Sequence, residues 1–515
     1  MKDEHTVPSA SVDNTRTIAR NSLWYGIELF VSLGAALLTS VLVARAVGAR
    51  RLGPYQYIVY LTNVTIAVGA LGLPATTRKY MAEHLNRGEP GVARAAYLAT
   101  LQLQTCLALA ISAVALALMF WLGDPHLRVI STLLITAMAP RIVAAIPSQA
   151  NNAAEVMRRN TGPSLAGGVT TTSLTIFGLV AGWDLTGVAA AVLVGNVLEC
   201  GMKLHSVERW LGGTPRGTVS PDLKRRMFTY SGQGLALMLL NILVWDRSDI
   251  VILRAMNHDI RQVTFFSLAF NLTERVLMIP TSFGTSLAAT MMAQFGRDRS
   301  RLKEWTVDGA RYALLLALPL LLGMACLSPL VPLIYREDFR PMVLTLAIVS
   351  VLAIPKALVA APTMLLQATE RQGFLIVWGC VCGAIDLGLD FLLTPRYGAN
   401  GAAIANGAAQ TVAALGIWIY VWKADGLDLK LRDFGRIAVS GAVMSAGVLM
   451  FIRLVPGKFG MFGSIAIGAG LWMAALRATR ALRPEDIGRF GSMGRQFPAA
   501  LRPSWGRLIG WLASA

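Results

Sequence analysis

The chain has 515 residues, 55% of them hydrophobic and only 15% charged, with a mean hydropathy of +0.55. Apolar stretches of about twenty residues recur from end to end, which excludes a soluble globular domain and reads as a polytopic, all-α membrane protein. A formal net charge of +18 would point to nucleic acid in a soluble chain; here the position of the cations on a membrane topology matters more than their sum, and no nucleic-acid partner is expected.

Residues 1–20 (MKDEHTVPSASVDNTRTIAR) are polar and mixed in charge. The apolar run that follows is too long for a signal h-region, so it is expected to remain as a span. From there, apolar segments punctuated by Gly, Pro and charge predict about fourteen helices near residues 21–47, 55–77, 95–122, 129–150, 163–182, 187–208, 227–254, 262–295, 307–334, 341–367, 373–393, 399–422, 436–454 and 459–477. Placing both termini and the even gaps on one side puts roughly 32 of the 47 Lys and Arg there, about 10 opposite and about 5 within spans. That bias makes both termini cytoplasmic, in a multi-pass protein of the cell inner (plasma) membrane. The richest inner loops run from Lys203 to Arg226 and from Gly296 to Trp305, whereas the outer connections are mostly about ten residues or fewer. Such short outer loops leave no room for a catalytic domain, and no G-x-x-x-x-G-K-[ST] loop is present for an ATP-driven pump. The five cysteines lie inside apolar runs and the five histidines have no metal-ligand spacing, so neither a redox pair nor a metal centre is expected. After Arg480 the chain turns basic and weakly amphipathic, as expected of a segment on the cytoplasmic face.

The halves repeat at a shift of about 210 residues. "PRIVAAIP" (Pro140 to Pro147) overlays "PKALVAAP" (Pro355 to Pro362), with a cation after the first proline of each. Downstream, "NNAAE" ending at Glu155 falls on "LQATE" ending at Glu370. "VLVARA" (Val41 to Ala46) resembles "IVILRA" (Ile250 to Ala255), and "DLTGVAAAV" (Asp184 to Val192) resembles "GANGAAIAN" (Gly398 to Asn406). Six spans per half is an even number, so the repeats run parallel, related by an axis along the membrane normal. The expected organisation is a cytoplasmic tail (1–20), an N-terminal six-helix lobe (21–210), a basic cytoplasmic linker (211–226), a C-terminal six-helix lobe (227–423), two additional helices (424–478) and a basic cytoplasmic tail (479–515).

Ala44, Arg45, Gly48, Gly53 and Tyr55 form an A-R-x-x-G-x-x-x-x-G-x-Y pattern that resembles the end of the first helix in polysaccharide flippases of the multidrug/oligosaccharidyl-lipid/polysaccharide exporter superfamily. Asp249 with "IVILRA" and "VTFFSLA" (Val263 to Ala269) is similar to their seventh-to-eighth helix passage, and "LQATER" and "YGANGAAIA" to their tenth and twelfth helix ends. The likeness covers roughly residues 18–423. It departs where the family commonly has Gly-Pro and an acidic pair and this chain has Gly48, Ala49, Arg50 and Arg51, and where Thr264 replaces a usual glycine. The resemblance implies two six-helix lobes around a central cavity that alternates across the membrane, moving a polyprenyl-diphosphate-linked oligosaccharide to the outer leaflet for cell-surface polysaccharide export (O-antigen or exopolysaccharide). Membrane lipids, a polysaccharide polymerase and export machinery are the partners it brings to mind. Peptidoglycan-precursor flippases and cation-coupled multidrug exporters share the plan. A membrane-embedded polymerase or glycosyltransferase is the reading from another class, disfavoured by the short outer loops.

Charged residues within the spans are the site candidates. Arg141 and Lys356 fall about 20 Å along their helices, near the midplane, and Arg275 is comparably deep; a charge there costs roughly 2.5 to 3.5 kcal/mol on insertion scales and rarely faces lipid. These three are candidates for binding a diphosphate. Arg45, about 36 Å along the first helix, is expected with Arg50, Arg51 and Arg254 at an outer basic rim. Glu28, Asp246, Asp249, Asp386 and Asp390 are candidates for H+ or Na+ coupling, with Glu199 a further intramembrane acid; Asp386 and Asp390, four apart, share a helix face. No other cofactor is implied.

Overall fold

The computed structural model describes residues 33–156, 158–246, 248–294, 299–369, 371–455, 457–493 and 502–513. Among these residues the secondary structure is helical, with no strand. Contacts divide the chain into two compact units, Met1–Asp246 and Arg247–Ala515.

The first unit holds α1 (Leu33–Val47), α2 (Ala49–Gly69), α3 (Leu73–Asn86), α4 (Pro90–Leu122), α5 (Arg128–Thr136), α6 (Met138–Ala153), α7 (Arg158–Val180), α8 (Asp184–Leu211) and α9 (Pro221–Trp245). Gly48, at φ 81°, separates α1 from α2, so Arg50 and Arg51 lie in the first turn of a helix, where a loop was expected. The expected second span is jointed too, because Leu71 and Gly72 are both left-handed. Only glycine suits the second of these positions, since a Cβ on Gly72 would stand 2.5 Å from the Ser231 carbonyl. Ser231 in turn donates its hydroxyl to the Leu71 carbonyl, and α9 packs on α2 and α3. The expected boundary at 227 gave α9 to the second lobe; its contacts lie in the first unit.

The second unit holds α10 (Asp249–Met256), α11 (Arg261–Gln294), α12 (Arg299–Leu327), α13 (Val331–Ile334), α14 (Met342–Leu352), α15 (Ile354–Ala368), α16 (Gln372–Tyr397), α17 (Ala399–Asp425), α18 (Leu431–Leu454), α19 (Lys458–Ala478), α20 (Pro484–Met493) and α21 (Arg502–Ala513). The expected seventh span is not one helix. It stops at Asp246, whose backbone is extended (φ −103°, ψ −171°), and resumes as α10, because the polar run Asp246 to Asp249 interrupts the apolar pattern. The two additional helices belong to this unit: Ile437, Met444, Val448, Trp472 and Leu476 pack on Leu314 and Leu318 of α12.

Ten helical segments among the described residues are long and apolar enough to cross a membrane, and Leu33–Val47 and Phe462–Ala478 are shorter apolar helices. The protein is therefore a multi-pass membrane protein. Exposed Leu109, Val180, Val377, Phe391 and Met450 need no aqueous explanation, since lipid is their solvent.

Candidate functional site

Both units break a span at matching positions. Ala137 separates α5 from α6, and Ala353 separates α14 from α15. The cause is Pro140 and Pro355, which lack the N–H that would bond four residues back. Each is followed by a cation: Arg141 near the middle of the Pro125–Ala153 span and Lys356 near the middle of Met342–Gln367. Side chains from neighbouring helices satisfy backbone carbonyls in these segments. Asn196 donates Nδ2 to the Ala137 carbonyl at 3.1 Å. Trp418 donates Nε1 to the Leu358 carbonyl at 3.2 Å, the very carbonyl that Pro362 cannot serve.

In the first unit the cation sits in a three-residue cluster. Glu199 on α8 accepts Arg141 Nη1 at 3.1 Å and Lys203 Nζ at 2.6 Å, with Ser164 Oγ at 3.3 Å. Glu199 and Lys203 are about nine-tenths buried while the Arg141 side chain keeps 52% of its surface. Two cations on one carboxylate leave a positive excess, and the exposed member carries it outward. The close seating of α7 on α8 makes the cluster possible: a Cβ on Gly195 would run into Thr171 Oγ1, and one on Gly167 would meet Glu199 Cβ at 2.9 Å. Lys203 was expected to open a basic loop. It is instead a buried helical residue, and its i, i+4 spacing from Glu199 is the signal that could have found it.

In the second unit Lys356 Nζ donates to Glu274 Oε1 at 2.7 Å and lies 5.6 Å from the centre of the Phe270 ring. Arg275, next along α11, is half-buried, and adjacent residues of a helix point apart, so this cluster is a single Lys356–Glu274 pair. Glu274 shares a small cleft with Asn406 and Gln410 of α17, two residues that sequence reasoning missed. Gln410 Nε2 donates to Asn406 Oδ1 at 2.8 Å, and Asn406 Nδ2 donates to Asp249 Oδ2 at 3.0 Å.

Asp249 opens a second group. It interacts with Asp386 and Asp390 of α16, and all three are 0% exposed. Thr394 Oγ1 donates to Asp390 at 2.9 Å and Ser248 Oγ to Asp386 at 3.5 Å. Asp249 and Asp390 also lie within hydrogen-bonding reach of each other; among the described residues Asp386 Oδ1 has no hydrogen-bond partner and none of the three acids is ion-paired. Three buried carboxylates cannot all carry charge in such a place without a bound cation or protons.

The remaining candidates are scattered. Arg45, Arg50 and Arg51 gather at the α1–α2 break, all exposed, and Arg51 pairs with Asp184 at 2.8 Å. Arg254 is exposed in the last turn of α10, in the other unit. Asp246 is half-buried where α9 ends. Glu28, and Glu370 of the repeat, lie outside the described residues. A cavity of about 820 Å³ in the first unit is walled by Leu73, Leu103, Met227 and Phe228, with Arg216 and Lys224 among its lining.

This arrangement of helices has known counterparts. The chain is similar to lipid II flippase MurJ in an inward closed conformation, with a TM-score of 0.69, 13% identity, and 89% of this chain and 98% of that one covered. It is similar to an inward-facing multidrug resistance MATE family transporter of the MOP superfamily (TM-score 0.62, 13% identity, 76% and 93% covered). A MOP superfamily transporter from Pyrococcus furiosus gives 0.62 at 14% identity, with 81% and 98% covered. At such identities the likeness is one of fold, that of a MOP-type transporter. No curated protein matches the chain by sequence. A family model described as polysaccharide biosynthesis protein matches residues 18–295, more than half of the chain, and the chain belongs to that family.

Proposed function

We propose that this protein is a flippase for a polyprenyl-diphosphate-linked oligosaccharide, carrying it from the cytoplasmic to the outer leaflet by alternating access, with no covalent chemistry. One observation carries the reading: each unit has a proline-broken span with a mid-span cation, Arg141 and Lys356, held by a carboxylate of a neighbouring helix. A diphosphate answers such a pair of cations, and in a low-dielectric site its own charge offsets their burial. A neutral solute does neither. Broken helices also supply loosened backbone where a transporter must bind and move. The apolar cavity beside Arg216 and Lys224 gives the lipid tail a lateral resting place, and the Asp249, Asp386 and Asp390 trio takes up H+ or Na+ to bias the cycle. Both termini lie in the cytoplasm of the cell that holds the protein in its inner membrane, where a polymerase and export machinery receive the product.

A peptidoglycan-precursor lipid is the second reading, favoured by the likeness in fold to a lipid II flippase over nearly the whole of both chains; its diphosphate would meet the same cations. Replacing both Arg141 and Lys356 with Gln in the cell of origin should stop surface polysaccharide from appearing while the protein stays inserted at normal amounts. Unchanged surface polysaccharide in that double variant would refute the assignment, and a cell-wall defect with normal polysaccharide would favour the second reading.

A further inference from the structure

Beyond the span α19 the chain is fastened down, although sequence reasoning made it a basic tail. Arg311 of α12, 0% exposed, forks onto Asp486 of α20, 2% exposed. Its Nη1 donates to Asp486 Oδ1 at 3.1 Å and its Nη2 to the other oxygen and, at 3.0 Å, to the Ala481 carbonyl. Tyr312 donates its hydroxyl to the same carboxylate at 2.5 Å. Arg483 bridges Asp308 of α12 at 2.8 Å and Asp433 of α18 at 2.5 Å. A bidentate pair so deeply buried is a rigid anchor.

The anchored segment roofs a cavity of about 490 Å³ at the end of α19, lined by Arg436, Arg477, Arg480 and Arg483 together with Leu476, Leu482, Pro484, Ile487 and Leu512. Among the described residues no carboxylate lines it, and Arg483 is paired with acids behind it. Arg436 reaches the Arg480 carbonyl through Nη1 at 3.2 Å. Arg477 lies 4.5 Å from the centre of the Trp511 ring of α21. Arg480, exposed, sits at a left-handed φ of 51° just past the helix.

We propose that Arg436, Arg477 and Arg480 of this pocket bind the phosphate of an anionic phospholipid. Guanidinium groups match phosphate oxygens in forked geometry and charge. The choice of a lipid over a free anion rests on place and wall: the pocket opens where a span ends, one side of it is aliphatic, and exposed Val439 and Val443 of α18 and Ile465 of α19 offer acyl chains a surface along the two helices. Trp511, apolar with one polar edge, marks the interfacial level. This pocket has no part in the flipping site, and its ligand is a structural or regulatory lipid, not cargo.

The test is lipid retention by the full-length protein in native mass spectrometry, with phosphatidylglycerol, cardiolipin or phosphatidylcholine supplied in mixed micelles. The wild-type protein should retain the two anionic lipids, and R436Q/R477Q/R480Q should lose at least tenfold of that retention with phosphatidylcholine unchanged. Because three changes could disturb the fold, R480E alone, at an exposed position, is the companion and should lose severalfold. Glycerol phosphate at matched concentration should not displace the lipid. Equal retention of the anionic lipids by wild type and R480E, or displacement by glycerol phosphate, would overturn the proposal.

Discussion

Residues in the membrane clusters separate by exposure into buried ones that hold the fold and others that keep free surface. Among the described residues Glu199 is the carboxylate that pairs with buried Lys203, so Glu199→Gln strands a buried ammonium. That change should cost about 3–5 kcal/mol, seen as a clearly lower thermal midpoint in detergent. Arg141→Gln leaves the Glu199–Lys203 pair intact and removes a group with 52% of its surface free; its midpoint should barely move while transport falls. Equal destabilisation by both would show that Arg141 is only a fold cation. At the other end of the chain Asp486 is a second case. Burial pushes its carboxyl up, but hydrogen bonds from Arg311 and Tyr312, with the guanidinium charge, outweigh that and hold it below its ordinary value of 3.8. A carboxyl lowered on folding stabilises fully above its ordinary value and loses that contribution as pH falls through the folded one. The segment 481–493 should therefore resist limited proteolysis from pH 8 to pH 5 and open only below about pH 4; opening already at pH 6 would contradict the anchor.

At the scale of helices, proline is the device that both halves share, and the polar side chains around it are the compensation. Trp418 serves the carbonyl left over by Pro362, so Trp418→Phe should destabilise by about 1–3 kcal/mol. Adding Pro362→Ala restores the helical donor and should recover much of that loss. A double variant no better than the single would show that the indole contributes by packing alone. The proline–cation repeat was legible in the sequence because Pro, Arg and Lys are rare inside apolar runs and announce themselves. The partners were not legible. Nothing in a linear reading sets Glu274 2.7 Å from Lys356, 82 residues away. Asn406 and Gln410 went unseen because a single amide in an apolar helix carries no periodic signal. Joints such as Gly72 and Asp246 moved the helix bounds, since hydropathy averages over the very residues where a span breaks. The C-terminal anchor escaped because nothing in a linear reading joins Arg311 to Asp486, 175 residues on.

For the whole molecule, composition and hydropathy sufficed for the class, a helical membrane protein with a MOP-type fold; by contacts the chain divides at Asp246 into two compact units. What composition could not supply is the chemistry of the cargo, which depends on where isolated charges end up. The central claim is that two proline-borne cations, one per unit, recognise a lipid diphosphate during transport. The direct measurement is flipping by the purified protein in proteoliposomes, using a fluorescent polyprenyl-diphosphate oligosaccharide and a membrane-impermeant quencher, beside the same lipid with a monophosphate link. The account predicts rapid flipping of the diphosphate, at least tenfold slower flipping of the monophosphate, and loss of that preference in the Arg141→Gln/Lys356→Gln double variant. Equal rates for both lipids in the wild-type protein, or an undiminished preference in the double variant, would contradict it.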